Sequence, residues 1–376
     1  MSDLLARIAQ GVSSFAAEDW DRCAGSADPF TSHAFLSILE ESGSATPRTG
    51  WQPVPVAIDG ADRRPAAVMP AYVKSHSQGE YVFDHAWADA LERAGGDYYP
   101  KLQIAVPFSP VPGRRLLTVE PALASGLIAA AQAIVDRHGL SSAHATFIDP
   151  SEVALFEQAG WLIRIDSQFH WHNDGFQRFD DFLATLSSRK RKAIRKERAA
   201  AVEGLDIRRV TGADLTEEVW DAFWAFYQDT GARKWGRPYL TRRFFSLLGE
   251  RMGDKVLLLL ACRGGEPVAG ALNLIGADTL YGRYWGTLLD APHLHFELCY
   301  YRAIDIAIER GLARVEAGAQ GSHKLSRGYR PVPTFSAHYL ADPRLRAAVA
   351  DYLEREREAV AEEIEALRAL TPFRKG

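Results

Sequence analysis

The sequence predicts a mixed α/β protein built from two similar units in tandem, followed by one long C-terminal helix. The main support is that the same order of predicted elements occurs in both halves. In addition, Gly139 and Gly311 each follow a predicted helix and precede a predicted strand. Glycine is favoured after a helix because a left-handed backbone costs it little. Helices that alternate with strand pairs in this way are typical of an α/β layer fold.

The first half begins with a helical region, followed by a strand pair, a helix and a strand. The predicted ranges are 18–43, 54–73, 127–139 and 142–148. The second half repeats this order, with two helices in place of one region and an additional strand. Its predicted ranges are 217–231 and 239–251 for the helices, 256–275 and 279–287 for the strand pair and next strand, and 296–311 and 313–319 for the last helix and strand. Gly264 and Gly265 predict the turn of its strand pair.

The predicted domains are 1–170, 171–341 and a C-terminal helix in 342–376. The alternating stretch 161–172 predicts a strand at the first boundary, and acidic residues then open a helix. Apolar residues of the last helix lie on one interrupted stripe, namely Leu345, Val349, Tyr352, Leu353, Val360, Ile364 and Leu367. Because Glu356 interrupts the stripe, we expect this helix to pack on its own chain rather than to form a dimer; the oligomeric state is left open.

Composition excludes several classes of function. The net charge of −4 predicts no general attraction to nucleic acid or to anionic membranes, so any basic site must be local. Three widely spaced cysteines predict a reducing compartment without disulfides, and we expect a cytoplasmic protein because no stretch suits a signal peptide or a membrane span. The sequence lacks the nucleophile elbow, phosphate loop and dinucleotide fingerprint of hydrolases, NTPases and dehydrogenases.

The loop 318–331 carries the residue types that acyl transfer needs. Lys324, Arg327 and His323 could supply a cation for an oxyanion and a carrier for a proton. The loop follows a predicted strand, and α/β folds bind ligands at this end of their strands. We expect Lys324 to lie at the surface. The alternative interpretation is a loop whose basic residues are only solvated.

A polar helix start at 293–297 is the second candidate. Glu297 is near a helix N-terminus, where an anion is stabilised, and could orient a histidine or bind an amine. His295 is a candidate substrate-binding residue, and the alternative is a simple helix cap. The spacing of His293, His295 and Glu297 matches no standard zinc site, so we expect no metal.

A basic run in 187–198 is the third candidate, and the alternative is a solvated helix face. The predicted phosphate-binding residues are Arg189, Lys190, Arg191, Lys192, Arg195 and Lys196. Ala193 and Ile194 are expected on the packed side. Aromatic residues beside glycines, namely Tyr284, Trp285 and Trp235, are predicted to line an acceptor pocket. The histidines of the stretch 170–173 are expected on one strand face, in structural hydrogen bonds.

The stretches 170–198, 284–286 and 294–331 resemble the FemAB-like family of peptidoglycan-biosynthesis-type proteins, and the element order resembles the GNAT acyltransferase fold. The resemblance implies tandem GNAT-like domains with an N-acyltransferase, N-acetyltransferase or aminoacyltransferase activity. It implies that Lys324 stabilises the tetrahedral transition state and that Tyr329 protonates the departing group. It also implies a small-molecule or peptide amine as the acceptor.

The resemblance leaves open whether the donor is acyl-coenzyme A or aminoacyl-tRNA. It implies no tightly bound cofactor. GNAT enzymes hold coenzyme A on a glycine-rich loop before this helix, and here that stretch has glycine only at Gly286. The missing glycines and the basic run favour transfer RNA or another non-standard donor. The alternative from another class is a non-catalytic module that binds a phosphorylated ligand or nucleic acid in the same cleft.

Overall fold

The computed structural model describes residues 5–234, 238–318 and 321–373, without the side chains of 231–234 and 322. The chain forms two compact units, Met1–Asp166 with Pro333–Glu362 and Ser167–Val332 with Glu363–Gly376. The division into domains 1–170, 171–341 and 342–376 stays a prediction. The predicted class, a mixed α/β fold with a long C-terminal helix, is confirmed.

The helices and strands follow one another along the chain as two similar series. The first series is β1 Ala6–Ile8, α1 Ala17–Ala24, α2 His33–Glu41, β2 Trp51–Pro53, β3 Val56–Asp59, β4 Pro65–Met69, β5 Ala71–Lys74, α3 His85–Arg93, β6 Lys101–Ile104, β7 Leu117–Thr118, α4 Ala124–His138, β8 Ser142–Ile148 and α5 Val153–Gln158. The second is β9 Leu162–His172, α6 Phe179–Thr185, α7 Ser188–Ala201, β10 Asp206–Val210, α8 Glu217–Lys234, α9 Arg242–Met252, β11 Val256–Arg263, β12 Glu266–Ile275, β13 Thr279–Thr287, α10 Leu294–Phe296, the π-helix Glu297–Tyr301, α11 Arg302–Glu309 and β14 Arg314–Glu316. The chain ends with β15 Arg330–Leu340 and α12 Pro343–Ala369.

The second unit contains a sheet in the order β10-β11-β12-β13-β14-β9. Its neighbours are antiparallel except for β13 and β14, which run parallel. A parallel pair needs a crossover, and here the helix from α10 to α11 supplies it. Gly264 and Gly265 have φ of 60° and 94° in the tight turn between β11 and β12, as the glycine pair predicted.

The first unit has the same parallel crossover. Its larger sheet has the order β15-β8-β6-β5-β2, in which β6 and β8 run parallel on either side of α4 in the sequence. Helix α4 ends at His138, and Gly139 follows it with φ of 61°, as predicted. A smaller sheet has the order β1-β3-β4-β7. Leu127, Ile128 and Val135 of α4 are fully buried in the core of this unit.

One strand in each unit follows the series of elements that forms the other unit. Strand β9 follows the first half and pairs with β14, with His170 opposite Glu316. Strand β15 follows the second half and pairs with β8, with Leu340 opposite Ser142. The chain therefore passes from one unit to the other three times, after Asp166, Val332 and Glu362.

Helix α12 packs on its own chain, as expected. Leu345, Val349 and Leu353 form a cluster with Trp87 and Leu91 in the first unit. Glu356, which interrupts the apolar stripe, accepts hydrogen bonds from the Arg164 guanidinium at 2.6 and 2.8 Å. No helix within the described part of the chain is long and apolar enough to cross a membrane.

The first unit contains a buried charged group of residues that sequence analysis did not identify; we call it the Lys101 cluster. The Lys101 ammonium donates to Ser77 at 2.7 Å, to Glu80 at 2.7 Å and to Asp84 at 2.5 Å. The side chains of Lys101, Glu80 and Asp84 are almost completely buried. Tyr98 also donates to Asp84, at 2.7 Å. Removing such ions from water is unfavourable unless they neutralise one another, so Lys101 is the cation on which both carboxylates depend.

Candidate active site

The helix between β13 and β14 contains a π-helical turn, Glu297–Tyr301. His293, directly before this helix, is left-handed with φ of 65°, which is uncommon for a residue with a side chain. π-Helical turns within α-helices are frequent at functional sites. The turn carries Cys299, Tyr300 and Tyr301, and the candidate site is built around it.

Lys324 lies in the 3₁₀ helix Ser322–Arg327, between β14 and β15. Its side chain donates to the backbone carbonyl of Gly318 at 2.7 Å, and no ion pair to a carboxylate of the described residues is found for it. Burial lowers the pKa of Lys324 to about 7, so the ammonium and the free amine coexist at neutral pH.

The expectation that Lys324 lies at the surface is wrong, because the residue is only 1% exposed. The apolar neighbours Leu325 and Tyr329 pack into the core of the second unit and draw this short helix inward. A buried lysine without a carboxylate partner is unfavourable for the folded state, which is the usual situation of a functional lysine.

Two of the predicted histidines lie together with aromatic rings of the π-helix. The Tyr300 hydroxyl and His323 Nε2 are hydrogen-bonded at 2.9 Å. The His295 ring centroid lies 5.3 Å from that of Tyr300 and 5.3 Å from that of Trp285. The rings of His295 and His323 are 6.2 Å apart. The structure thus brings together His295, His323 and Trp285, which the sequence predicted separately.

Tyr329 is completely buried beside this group. Its ring centroid lies 5.5 Å from that of Tyr300, and its hydroxyl has no hydrogen-bond partner among the described residues. Burial raises the pKa of Tyr329 well above 10, so the phenol stays protonated. A protonated hydroxyl without an acceptor is available to donate to a ligand.

His170 and Glu316 lie opposite each other on β9 and β14. His170 Nδ1 is 3.8 Å from Glu316 Oε1, and its Nε2 is 3.3 Å from Gln168 Oε1, a structural hydrogen bond of the expected kind. Burial lowers the pKa of His170 to about 3, with further contributions from the charges of Arg314, His172 and Lys324. The imidazole is therefore neutral at neutral pH.

Glu297 and Arg327 are both engaged by charged partners, and the role predicted for Arg327 stays a prediction. Both oxygens of Glu297 accept from Arg198 at 3.0 Å, and Oε1 also accepts from Arg302 at 2.8 Å, so the carboxylate does not orient a histidine. Arg327 is ion-paired with Glu197 at 3.1 Å, and its guanidinium carbon lies 3.4 Å from the centroid of the Phe296 ring. These contacts attach α7 to the helix that carries the site.

Two of the three aromatic residues predicted for one acceptor pocket, Tyr284 and Trp285, do not share a location. Tyr284 and Trp285 are adjacent in β13 and point to opposite faces of the sheet. Trp285 contacts His295, whereas the Tyr284 ring lies 5.3 Å from that of Tyr227 on α8. Trp235 lies outside the described residues.

Helix α7 presents a basic surface to solvent. Arg189, Lys192 and Lys196 are exposed and form no ion pair with a carboxylate of the described residues, and Lys190 and Arg191 are half-buried. Arg195 is ion-paired with Asp180 at 2.8 Å. On the packed side, Ile194 is buried as expected, whereas the same expectation for Ala193 is wrong, because Ala193 faces solvent.

No group of three or more histidine, cysteine or acidic side chains in the described ranges is arranged to hold a metal ion.

A family model described as peptidoglycan biosynthesis/recognition, FemAB-like, matches residues 11–375. The chain belongs to the FemAB-like family. No curated protein sequence matches it. Its fold is similar to the crystal structure of FemX, at 12% identity and a TM-score of 0.56 over 89% of this chain and 98% of that one. FemAB-like membership confirms the resemblance that the three motif stretches indicated.

Two further solved structures share the fold of this FemAB-like chain. One is the C-terminal domain of a putative lysylphosphatidylglycerol synthetase from Agrobacterium fabrum, at 10% identity and a TM-score of 0.54 over 90% of this chain and 96% of that one. The other is L-PGS from Bacillus licheniformis, at 12% identity and a TM-score of 0.53 over 88% and 97%. At these identities the likeness shows the fold alone. What the comparisons show of its role is therefore the family description, peptidoglycan biosynthesis or recognition.

Proposed function

We propose that this FemAB-like protein transfers an acyl or aminoacyl group from an activated donor to an amine, with its reaction centre at Lys324. The observation that carries the proposal is the state of this lysine, which is buried, without a carboxylate partner and close to neutral pKa. The protonated phenol of Tyr329 lies beside the His323–Tyr300 pair, with 5.5 Å between the ring centroids of Tyr329 and Tyr300. A small-molecule or peptide amine, such as a peptidoglycan precursor, is the proposed acceptor.

Each group has a part in a balanced reaction. The acceptor nitrogen attacks the donor carbonyl, a C–N bond forms, and the carbonyl electron pair moves to oxygen. The Lys324 ammonium donates a hydrogen bond to this oxyanion, in a site where exclusion of water strengthens the interaction. His323 accepts the proton of the amine. When the oxyanion collapses, the bond to the leaving group breaks and Tyr329 supplies the proton that the leaving group takes.

The pH dependence of the reaction tests the charged state of Lys324. Lys324 loses its proton as the pH rises through about 7, so an ammonium role predicts that kcat/KM falls above that pH. Lys324→Arg keeps the charge and should remove the alkaline fall, because arginine is not deprotonated in this range. A wild-type rate that only rises with pH, or an alkaline limb that is the same in both proteins, would contradict the role.

The exposed positive charges of α7 suit a donor that carries phosphates. Aminoacyl-tRNA and acyl-coenzyme A both carry phosphates. We expect the triple variant Arg189→Gln, Lys192→Gln, Lys196→Gln to bind bulk transfer RNA more weakly and with a shallower dependence of log affinity on log salt. Coenzyme A has few phosphates, so its salt slope should be small in both proteins. Binding titrations at two salt concentrations measure this.

A matched control is available in the same unit. Arg243, Arg263 and Arg310 are exposed and, changed together to glutamine, remove the same charge outside α7. The proposal requires this control to bind as the wild type does. If the α7 variant and the control bind alike, the basic helix is a solvated face and neither phosphate donor is supported by it.

A further inference from the structure

The second unit contains a groove that has no part in the proposed reaction. It lies where β9 ends and β15 begins, beside the C-terminal end of α12, and has a volume of about 410 Å³. Its polar lining comprises Arg330, Arg368, His172, Asp174 and Thr371, and Phe373 and Val332 supply apolar wall. Small-molecule sites of proteins have volumes of about 300–1,000 Å³ and the same combination of apolar walls with a few polar groups.

The charged lining is basic on balance. Two arginines face one aspartate, and that aspartate is already engaged, because Asp174 accepts two hydrogen bonds from the Arg330 guanidinium. The guanidinium carbon of Arg330 also lies 5.0 Å from the centroid of the Phe373 ring, so the side chain is held in place from two sides. Asp174 therefore fixes an arginine and is not open to an incoming cation.

Arg368 is the charge that remains available. It lies in the last turn of α12, and one of its terminal nitrogens donates to Glu365 at 2.5 Å, which leaves other N–H groups of the fork for a ligand. Glu365 does not line the groove. Burial, together with the positive charges of Arg330 and Arg314, lowers the pKa of His172, so a neutral imidazole faces the cavity in a positive potential.

We propose that this groove binds a small organic anion, with a carboxylate or phosphate group on Arg368 and Arg330 and a short apolar body on Phe373 and Val332. Arginine forks match the planar geometry of carboxylates and phosphates, and the hydrogen bonds that result are charge-assisted. A cation would meet two arginines in the groove. The site does not depend on the reaction proposed for Lys324, and binding is measured directly.

Calorimetric titration of the full chain tests the groove with four probes: hexanoate, hexyl phosphate, inorganic phosphate and hexylamine. We expect the two hexyl anions to bind, inorganic phosphate to bind more weakly because it lacks the apolar body, and hexylamine not to bind. The better of the two hexyl anions identifies the anionic group. Saturable binding of hexylamine, or no saturable binding of either hexyl anion, would overturn the proposal.

Substitutions locate the site. Arg368→Gln should weaken the hexyl anions at least about tenfold, as expected for one charge-assisted hydrogen bond, and its side chain is half exposed, so the fold should be preserved. Arg344→Gln is the matched control, since Arg344 is an exposed, ion-paired arginine of the same helix that does not line the groove. Equal affinities of wild type and Arg368→Gln, or equal losses in both variants, would place the anion elsewhere.

A spectroscopic readout does not depend on the arginine variants. The ring C–H signals of His172, assigned with His172→Asn, should shift as hexanoate is added to the wild-type protein. In Arg368→Gln the same shift should require at least about ten times more hexanoate. Signals of His172 that do not respond to a bound hexyl anion would show that the anion binds outside the groove.

Discussion

Replacing Lys324 with methionine will lower kcat/KM for acyl transfer by about 10²–10³-fold, the loss seen when one oxyanion donor is removed from an enzyme. Methionine keeps most of the apolar volume and removes the only ammonium that lies on the 3₁₀ helix between β14 and β15. Thermal unfolding should be unchanged or occur at a higher temperature, because a buried lysine without a carboxylate partner does not stabilise the folded state. Steady-state kinetics and a melting curve measure both quantities.

Lys255→Met is the control for this experiment, because Lys255 is half exposed, lies in the same unit and, among the described residues, is ion-paired only with Asp254. It should react at the wild-type rate. The experiment also separates enzyme from binding module. If Lys324→Met retains donor affinity and loses turnover, the protein is an enzyme. Turnover within about threefold of wild type, with the fold intact, excludes Lys324 from the reaction.

Replacing Lys101 with methionine will destabilise the first unit by about 3–5 kcal/mol, the cost of breaking a buried ion pair by removing one partner. Glu80 and Asp84 then remain buried without their common cation. The deficit should grow with pH, since loss of the ammonium raises the pKa of both carboxyls. Below their folded pKa values the carboxyls are protonated and neutral. Above them Asp84 is a buried charge without its cation, and Glu80 retains only Lys74, whose ammonium lies 3.7 Å away. Urea unfolding at pH 5 and pH 8 measures the difference.

The combined variant Lys101→Met, Glu80→Gln, Asp84→Asn is the test of this explanation. Neutralising the whole Lys101 cluster removes the unpaired charges, so most of the lost stability should return. If the triple variant is as unstable as Lys101→Met, the loss arises from packing of the lysine stem and not from charge. A stability deficit that is equal at pH 5 and pH 8 would lead to the same conclusion.

The local parts of the fold could be predicted from the sequence. Helix ends at Gly139 and Gly311, the turn at Gly264 and Gly265, and strands β8 and β13 follow from short patterns, since glycine at positive φ and alternating apolar residues act over a few residues. Strand β15 was missed, because its partner β8 lies almost two hundred residues earlier in the chain and strand pairing at that distance leaves no local pattern.

The candidate site was predicted by residue type and only partly by location. Lys324, His323 and Tyr329 lie close in sequence, and the loop that holds them was identified. The burial of Lys324 and the partners of Glu297 depend on side chains from other elements, such as Arg198 on α7. The arginines of α7 gave an indication of this contact, because an arginine on the packed side of the helix needs an acidic partner. To identify that arginine, one must know which face of α7 packs on the protein, and the periodicity of the sequence alone does not determine this face.

The π-helix at Glu297–Tyr301 also determines which side chains meet in the site. A π-helical turn holds one residue more than an α-helical turn. Deleting one residue there would restore the α-helical repeat and rotate the preceding turn by about 100° relative to α11. His295 would then leave Tyr300 and Trp285. The grouping of side chains around Tyr300 therefore depends on the one extra residue of this turn.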